Sequence, residues 1–134
     1  MGQYHKAVNL TKREFINPHK LGCGLKLWEQ LANNPGTGAA LTILLACSNG
    51  RGGGDLGEND VIGRWAGDNI AIVGDYAEET DLPLKYHTDT IYGLCDEDNP
   101  NGYLDITDLV AAVIEKELNG KFVGDGWKEF QRNG

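Results

Sequence analysis

Three cysteines in 134 residues, Cys23, Cys47 and Cys95, are too few and too irregularly placed to staple a fold together. Their odd number and the absence of any CxxC spacing argue against a secreted disulfide framework and fit reduced thiols in a cytoplasmic compartment. No apolar leader follows Met1-Gly-Gln-Tyr-His-Lys, so no secretory signal is expected. No run of 18 apolar residues occurs either; the longest candidate is 39–47, which argues against a membrane-spanning helix. The three histidines, His5, His19 and His87, show no H-E-x-x-H or other metal-ligand spacing.

Positive charge is scarce where negative charge is dense. Residues 1–54 carry six Lys/Arg and two Glu, whereas residues 55–108 carry two Lys/Arg against fourteen Asp/Glu, and the whole chain sums to −8. A middle of that sign repels phosphate backbones and attracts cations or basic protein surfaces, so nucleic acid is not an expected partner. With 40% apolar residues and aromatics spread from Tyr4 to Phe130, the chain is expected to fold as one domain with a real core.

The stretch 62–76 reads as buried sheet. Apolar runs at 61–66 and 69–73 flank Gly67-Asp68, a two-residue loop suited to a type II′ turn, which predicts a hairpin whose second strand is central. An earlier hairpin is predicted over 4–17, with Tyr4, Val8 and Leu10 on one face and solvated Lys12, Arg13 and Lys20 at its tip and exit. Residues 24–32 suggest a short helix burying Leu27, Trp28 and Leu31. Thr37 stands as the N-cap of an all-round apolar helix over 38–48, stopped at Ser48-Asn49-Gly50, which would bury Cys47. Residues 88–94 read as a short strand. Ile106, Leu109, Val110, Val113, Ile114 and Leu118 recur at three- and four-residue intervals, which predicts an amphipathic helix ended by Asn119-Gly120. The tail keeps Phe122, Trp127 and Phe130 and is expected to pack. These elements amount to an α+β fold: a small, mainly antiparallel sheet against two or three helices.

Three stretches are candidate sites. Gly52-Gly53-Gly54-Asp55-Leu56-Gly57 satisfies GxGxxG, but a helix precedes it and a strand follows, the reverse of a dinucleotide-binding unit, and no Lys-Ser/Thr follows as in a phosphate loop. What remains is an anion nest of Arg51, Gly52, Gly53, Gly54 and Asp55 for a phosphorylated small molecule. Glu97, Asn99, Asn101, Asp105 and Asp108 fall at ligand positions of a calcium loop with Gly102 sixth, and in this register the segment resembles the loops of dockerin modules and EF-hands. Glu97 stands where Asp is expected, Pro100 stiffens the loop, and no second loop is present, so helix capping by Asp105 or Thr107 is the competing explanation. Asp68 and Asp75 bracket the predicted strand as a carboxylate pair.

Met1-Gly-Gln-Tyr, Val8-Asn-Leu, Pro18-His-Lys, Gly24-Leu-Lys-Leu, Gly50-Arg-Gly-Gly-Gly-Asp55, Trp65-Ala-Gly-Asp and Gly74-Asp-Tyr76 resemble a family of small uncharacterised proteins of bacterial and phage genomes. The resemblance spans roughly the first 76 residues. It implies one compact domain of mobile-element origin and brings no catalytic residues with it. The expectation is therefore a non-catalytic module that binds another protein through its acidic middle, as a phage accessory or inhibitor would; calcium binding at 97–108 and phosphate-ligand binding or chemistry at 50–57 are the alternatives. The residues name neither the partner nor an oligomeric state.

Overall fold

The computed structural model describes residues 3–22, 26–32, 35–49, 56–57, 59–78, 80–82, 88–96, 102–123 and 126–130. Strands β1 (His5–Asn9) and β2 (Glu14–Ile16) form the predicted hairpin, with Ala7 opposite Ile16 and Asn9 opposite Glu14. Its four-residue turn is built by Asn9, whose side-chain oxygen accepts from the N–H groups of Thr11 and Lys12, and by Arg13, which takes a left-handed φ of 57°. Strand β3 (Ile70–Gly74) pairs antiparallel with β1, and the two-residue β4 (Leu104–Asp105) pairs parallel with β2, giving the order β3-β1-β2-β4.

Alternation puts Ala7, Ile16 and Ile70 on one face and Val8, Phe15, Ala71 and Val73 on the other. The first face meets helices α2 (Thr37–Leu45) and α4 (Thr107–Leu118) in a core that includes Leu44, Trp65, Val110 and Ile114. The second is covered by Ile91 and Cys95, from and just beyond helix α3 (Thr88–Leu94). Helices thus cover both faces. A short helix α1 (Leu27–Ala32) packs on α2, and a separate hairpin of β5 (Gly120–Val123) and β6 (Gly126–Glu129) packs on α4, its Phe122 and Trp127 rings edge to face at 4.9 Å. The fold is α+β, with a mostly antiparallel four-stranded sheet.

The predicted 61–73 hairpin does not form. Residues 61–68 are successive turns, closed by the bonds Arg64 N–H to Val61, Ala66 N–H to Gly63 and Asp68 N–H to Trp65. Gly63 (φ 79°) and Gly67 (φ 83°) take left-handed backbone that an extended strand cannot use. These turns instead satisfy the end of α2, where the N–H groups of Gly63 and Trp65 bond the carbonyls of Ile43 and Leu44 at 2.9 Å. As a consequence, among the described residues β3 lies at the sheet edge, not at its centre.

Helix α2 starts at Gly36 as N-cap, and Thr37 sits inside it with a buried hydroxyl that makes no hydrogen bond among the described residues. It ends at Leu45 with Ala46 in extended backbone, short of the expected stop, so Cys47 falls beyond the helix and is exposed. Residues 88–94 are helical, not extended. Helix α4 follows expectation, and Asn119 terminates it at φ 53°. Helix α1 is present, yet it exposes Leu27 and Trp28 and buries Gln30 instead.

Candidate functional site

Arg51, Gly52, Gly53, Gly54 and Asp55 lie outside the described residues, as do Glu97, Asn99 and Asn101 of the calcium-like stretch. Asp105 and Asp108 are described, and both face Lys20, whose ammonium stands 3.0 Å from the first carboxylate and 3.8 Å from the second. The other oxygen of Asp105 accepts from the backbone N–H (2.8 Å) and the hydroxyl of Thr107, and that hydroxyl accepts from Asn17 N–H at 2.8 Å. This arrangement caps the first turn of α4 and ties it to the end of β2. Among the described residues no three His, Cys, Asp or Glu side chains converge as a metal-holding set.

Asp68 and Asp75 do not share a cleft. They sit at opposite ends of β3, on the order of 20 Å apart by strand rise, with Asp68 held by Lys12 and Asn9 and Asp75 accepting from Tyr4 N–H at 3.1 Å. The bonds from Lys12 and Asn9 hold the Asp68 carboxyl below its usual range. Lys12 and Lys20 are therefore ion-paired, not merely solvated.

Two polar clusters serve the core. Buried Glu14 accepts from Arg64 Nε at 3.0 Å and from the Trp65 indole N–H at 2.9 Å; burial raises its pKa, but those bonds and the guanidinium charge outweigh it and keep the carboxyl below its ordinary value. On the other face Lys6 donates to the Cys95 carbonyl and lies 4.5 Å from the Tyr92 ring centroid, a cation over an aromatic face. Burial pushes the Cys95 thiol up to about 12 and raises Tyr92 and Tyr103 as well, which keeps the thiol and both phenols in their neutral forms at pH 7.

What the sequence did not disclose is one end of the sheet. Tyr4 bonds Asp75 through both its N–H and its carbonyl, and on its other side it bridges to Lys26 at the start of α1. Four large exposed residues lie at or within two residues of this junction in sequence: Trp28 (76% exposed), Tyr76 (70%), Leu27 (51%) and Tyr4 (44%). Glu29, Asp75 and Glu78 are exposed around them. From this end a cleft of about 160 Å³ extends along β3, bounded by Ile72, Gly74, Asp81 and Leu82. Leu27 and Trp28 carried a signal of the opposite sense, since their spacing read as the buried face of a helix; the reading failed because Gln30, bonded to the His5 carbonyl at 2.8 Å, turns the other side of α1 inward. A larger cleft, about 310 Å³, lies at the end of α2 beside Cys47, Ser48, Asn49 and Asn59, but both asparagine side chains are spent on local backbone bonds. No family model, curated protein or solved structure matches the chain.

Proposed function

We propose that this is a non-catalytic module that binds another protein, and that its contact surface is the aromatic, acid-flanked end of the sheet. The supporting observation is the exposure of Trp28 and Tyr76, with Leu27 and Tyr4, at or beside one three-way junction. Tyr and Trp dominate the energetic centres of protein interfaces because they remove large area from water at little cost in side-chain entropy. Glu29, Asp75 and Glu78 beside them favour a basic partner surface and give the encounter a salt-dependent rate. The ammonium of Lys20 between Asp105 and Asp108 favours this reading over calcium binding.

The test is affinity capture from a lysate at low and high salt, with the wild-type chain and with Trp28→Ala/Tyr76→Ala. A partner retained at low salt, released at high salt and lost with the double variant supports the reading. Equal capture by both proteins would move the surface elsewhere.

A further inference from the structure

Among the described residues, no strand pairs with the outer edge of β3. Leu10 N–H bonds the Asn69 carbonyl and Asp75 N–H bonds the Tyr4 carbonyl. In the register that pairs Asn9 with Ile70 and His5 with Gly74, the positions bonded toward β1 are therefore 69, 71, 73 and 75. The N–H and C=O groups of Ile70 and Ile72 and the N–H of Gly74 point the other way, while the Gly74 carbonyl accepts from Ala77 N–H at 3.1 Å; among the described residues no strand pairs with this edge. The cleft along this edge is lined by Ala71 and Val73 from one face and by Ile72 and Gly74 from the other, with Asp81 and Leu82 alongside and with Gln3 and His5 closing it at the Gly74 end. Lining by both parities of β3 places the middle of the cleft, around Ile72, at the strand's edge. Ile-Ala-Ile-Val-Gly has none of the lysines or prolines that usually protect an edge.

We propose that β3 accepts an extended segment of a partner protein, bearing Lys or Arg at alternate positions, as a fifth strand of the sheet; the proposal rests on the protein-binding reading above. Main-chain bonds to Ile70, Ile72 and the Gly74 N–H supply the docking, and alternate apolar side chains enter the groove beside Ile72 and Leu82. Charge selects the occupant. Between residues 65 and 96 the sequence has seven Asp/Glu and one Lys/Arg, Lys85. Two copies would each bring a net charge of −8 and this acidic stretch to the contact, whereas a basic strand is attracted to it.

The probe is an end-blocked Lys-Val-Lys-Val-Lys-Val peptide, with Glu-Val-Glu-Val-Glu-Val as control, and the readout is amide hydrogen exchange by NMR. The Lys-Val peptide is expected to bind at low salt with Kd below about 1 mM and to slow exchange at Ile70, Ile72 and Gly74 about tenfold, leaving Ala71 and Val73 unchanged. Ile72→Pro removes one outward N–H and no bond to β1, so it should abolish binding with the β1 amides still protected. Ile72→Thr keeps the donor and should keep binding, and Asp81→Asn should weaken it about threefold. Equal binding of the Glu-Val peptide, binding without protection of the outward amides, or unaltered binding by Ile72→Pro would overturn the proposal. So would a free protein that sediments as a dimer with these amides already protected. No protection by peptide, with partner capture still dependent on Trp28 and Tyr76, overturns strand addition alone; protection without any such capture upholds strand addition and overturns the aromatic surface.

Discussion

The carboxylate of Glu14 accepts the indole N–H of Trp65 at 2.9 Å, joining the first hairpin to a turn 51 residues later. The same carboxylate receives the Arg64 guanidinium, so one buried acid fixes two consecutive side chains of the 61–68 turn. Its pKa is depressed in the folded chain. A carboxyl of that kind stabilises the fold above its ordinary pKa, and the contribution is lost as pH falls through the lower folded value. Glu14→Gln should cost about 2 kcal/mol at neutral pH, below the usual cost of breaking a buried pair because the Arg64 side chain keeps 32% exposure. Urea midpoints at pH 7 and pH 3 check this: the gap between wild type and variant should narrow in acid.

Gly63 should not tolerate a side chain. At φ 79° a Cβ there would stand 2.7 Å from the Ala46 carbonyl oxygen, a backbone atom with no rotamer to yield. Gly63→Ala should therefore lose about 2–3 kcal/mol by strain and clash together. Gly67 has the same sign of φ but open space around it, so Gly67→Ala should cost only about 1 kcal/mol. Thermal melts of the two variants separate the contributions.

Thr37→Val should stabilise. The threonine is 2% exposed and its hydroxyl finds no acceptor or donor among the described residues. An isosteric methyl removes the desolvation cost of that hydroxyl, worth about 1 kcal/mol. A raised urea midpoint with an unchanged slope is the expected result.

The elements most legible in the sequence are those whose pattern and terminators agree. Helix α4 has an apolar stripe from Ile106 to Leu118 and a left-handed Asn119, and the first hairpin sets two apolar-bearing strands either side of a polar turn. The 61–66 run misled because apolar residues inside a chain of turns look like a strand when the carbonyls they satisfy lie on a helix far away in sequence. Leu27 and Trp28 misled for the opposite reason: helical spacing states which residues share a face, not whether anything covers that face. The edge position of β3 depends on β1 pairing with both neighbours, a long-range fact that no local window contains.

Calcium should leave the melting temperature unchanged at millimolar concentration, because Lys20 already places a cation 3.0 Å from Asp105 and 3.8 Å from Asp108. A ligand that binds only the folded chain raises its stability in proportion to the logarithm of its concentration over Kd. Lys20→Ala should lower stability by less than about 1 kcal/mol, as for other half-exposed pairs. A calcium-dependent rise in wild type, lost in Asp108→Ala, would instead establish the loop as a metal site.

Cys47 and Cys95 should differ sharply toward an alkylating reagent. Cys47 is exposed beyond the end of α2, whereas Cys95 is buried, with its thiol pushed up to about 12 chiefly by burial. The thiolate is the reactive form, so at pH 8 Cys95 offers almost none of it, and burial blocks the reagent as well. Iodoacetamide treatment followed by peptide mapping should find Cys47 modified in the native protein and Cys95 modified only in denaturant. Because Cys95 packs with Val8, Phe15, Val73 and Ile91, its rate of labelling in rising urea should track global unfolding, and labelling well before the unfolding midpoint would mean that the α3 side of the sheet opens on its own.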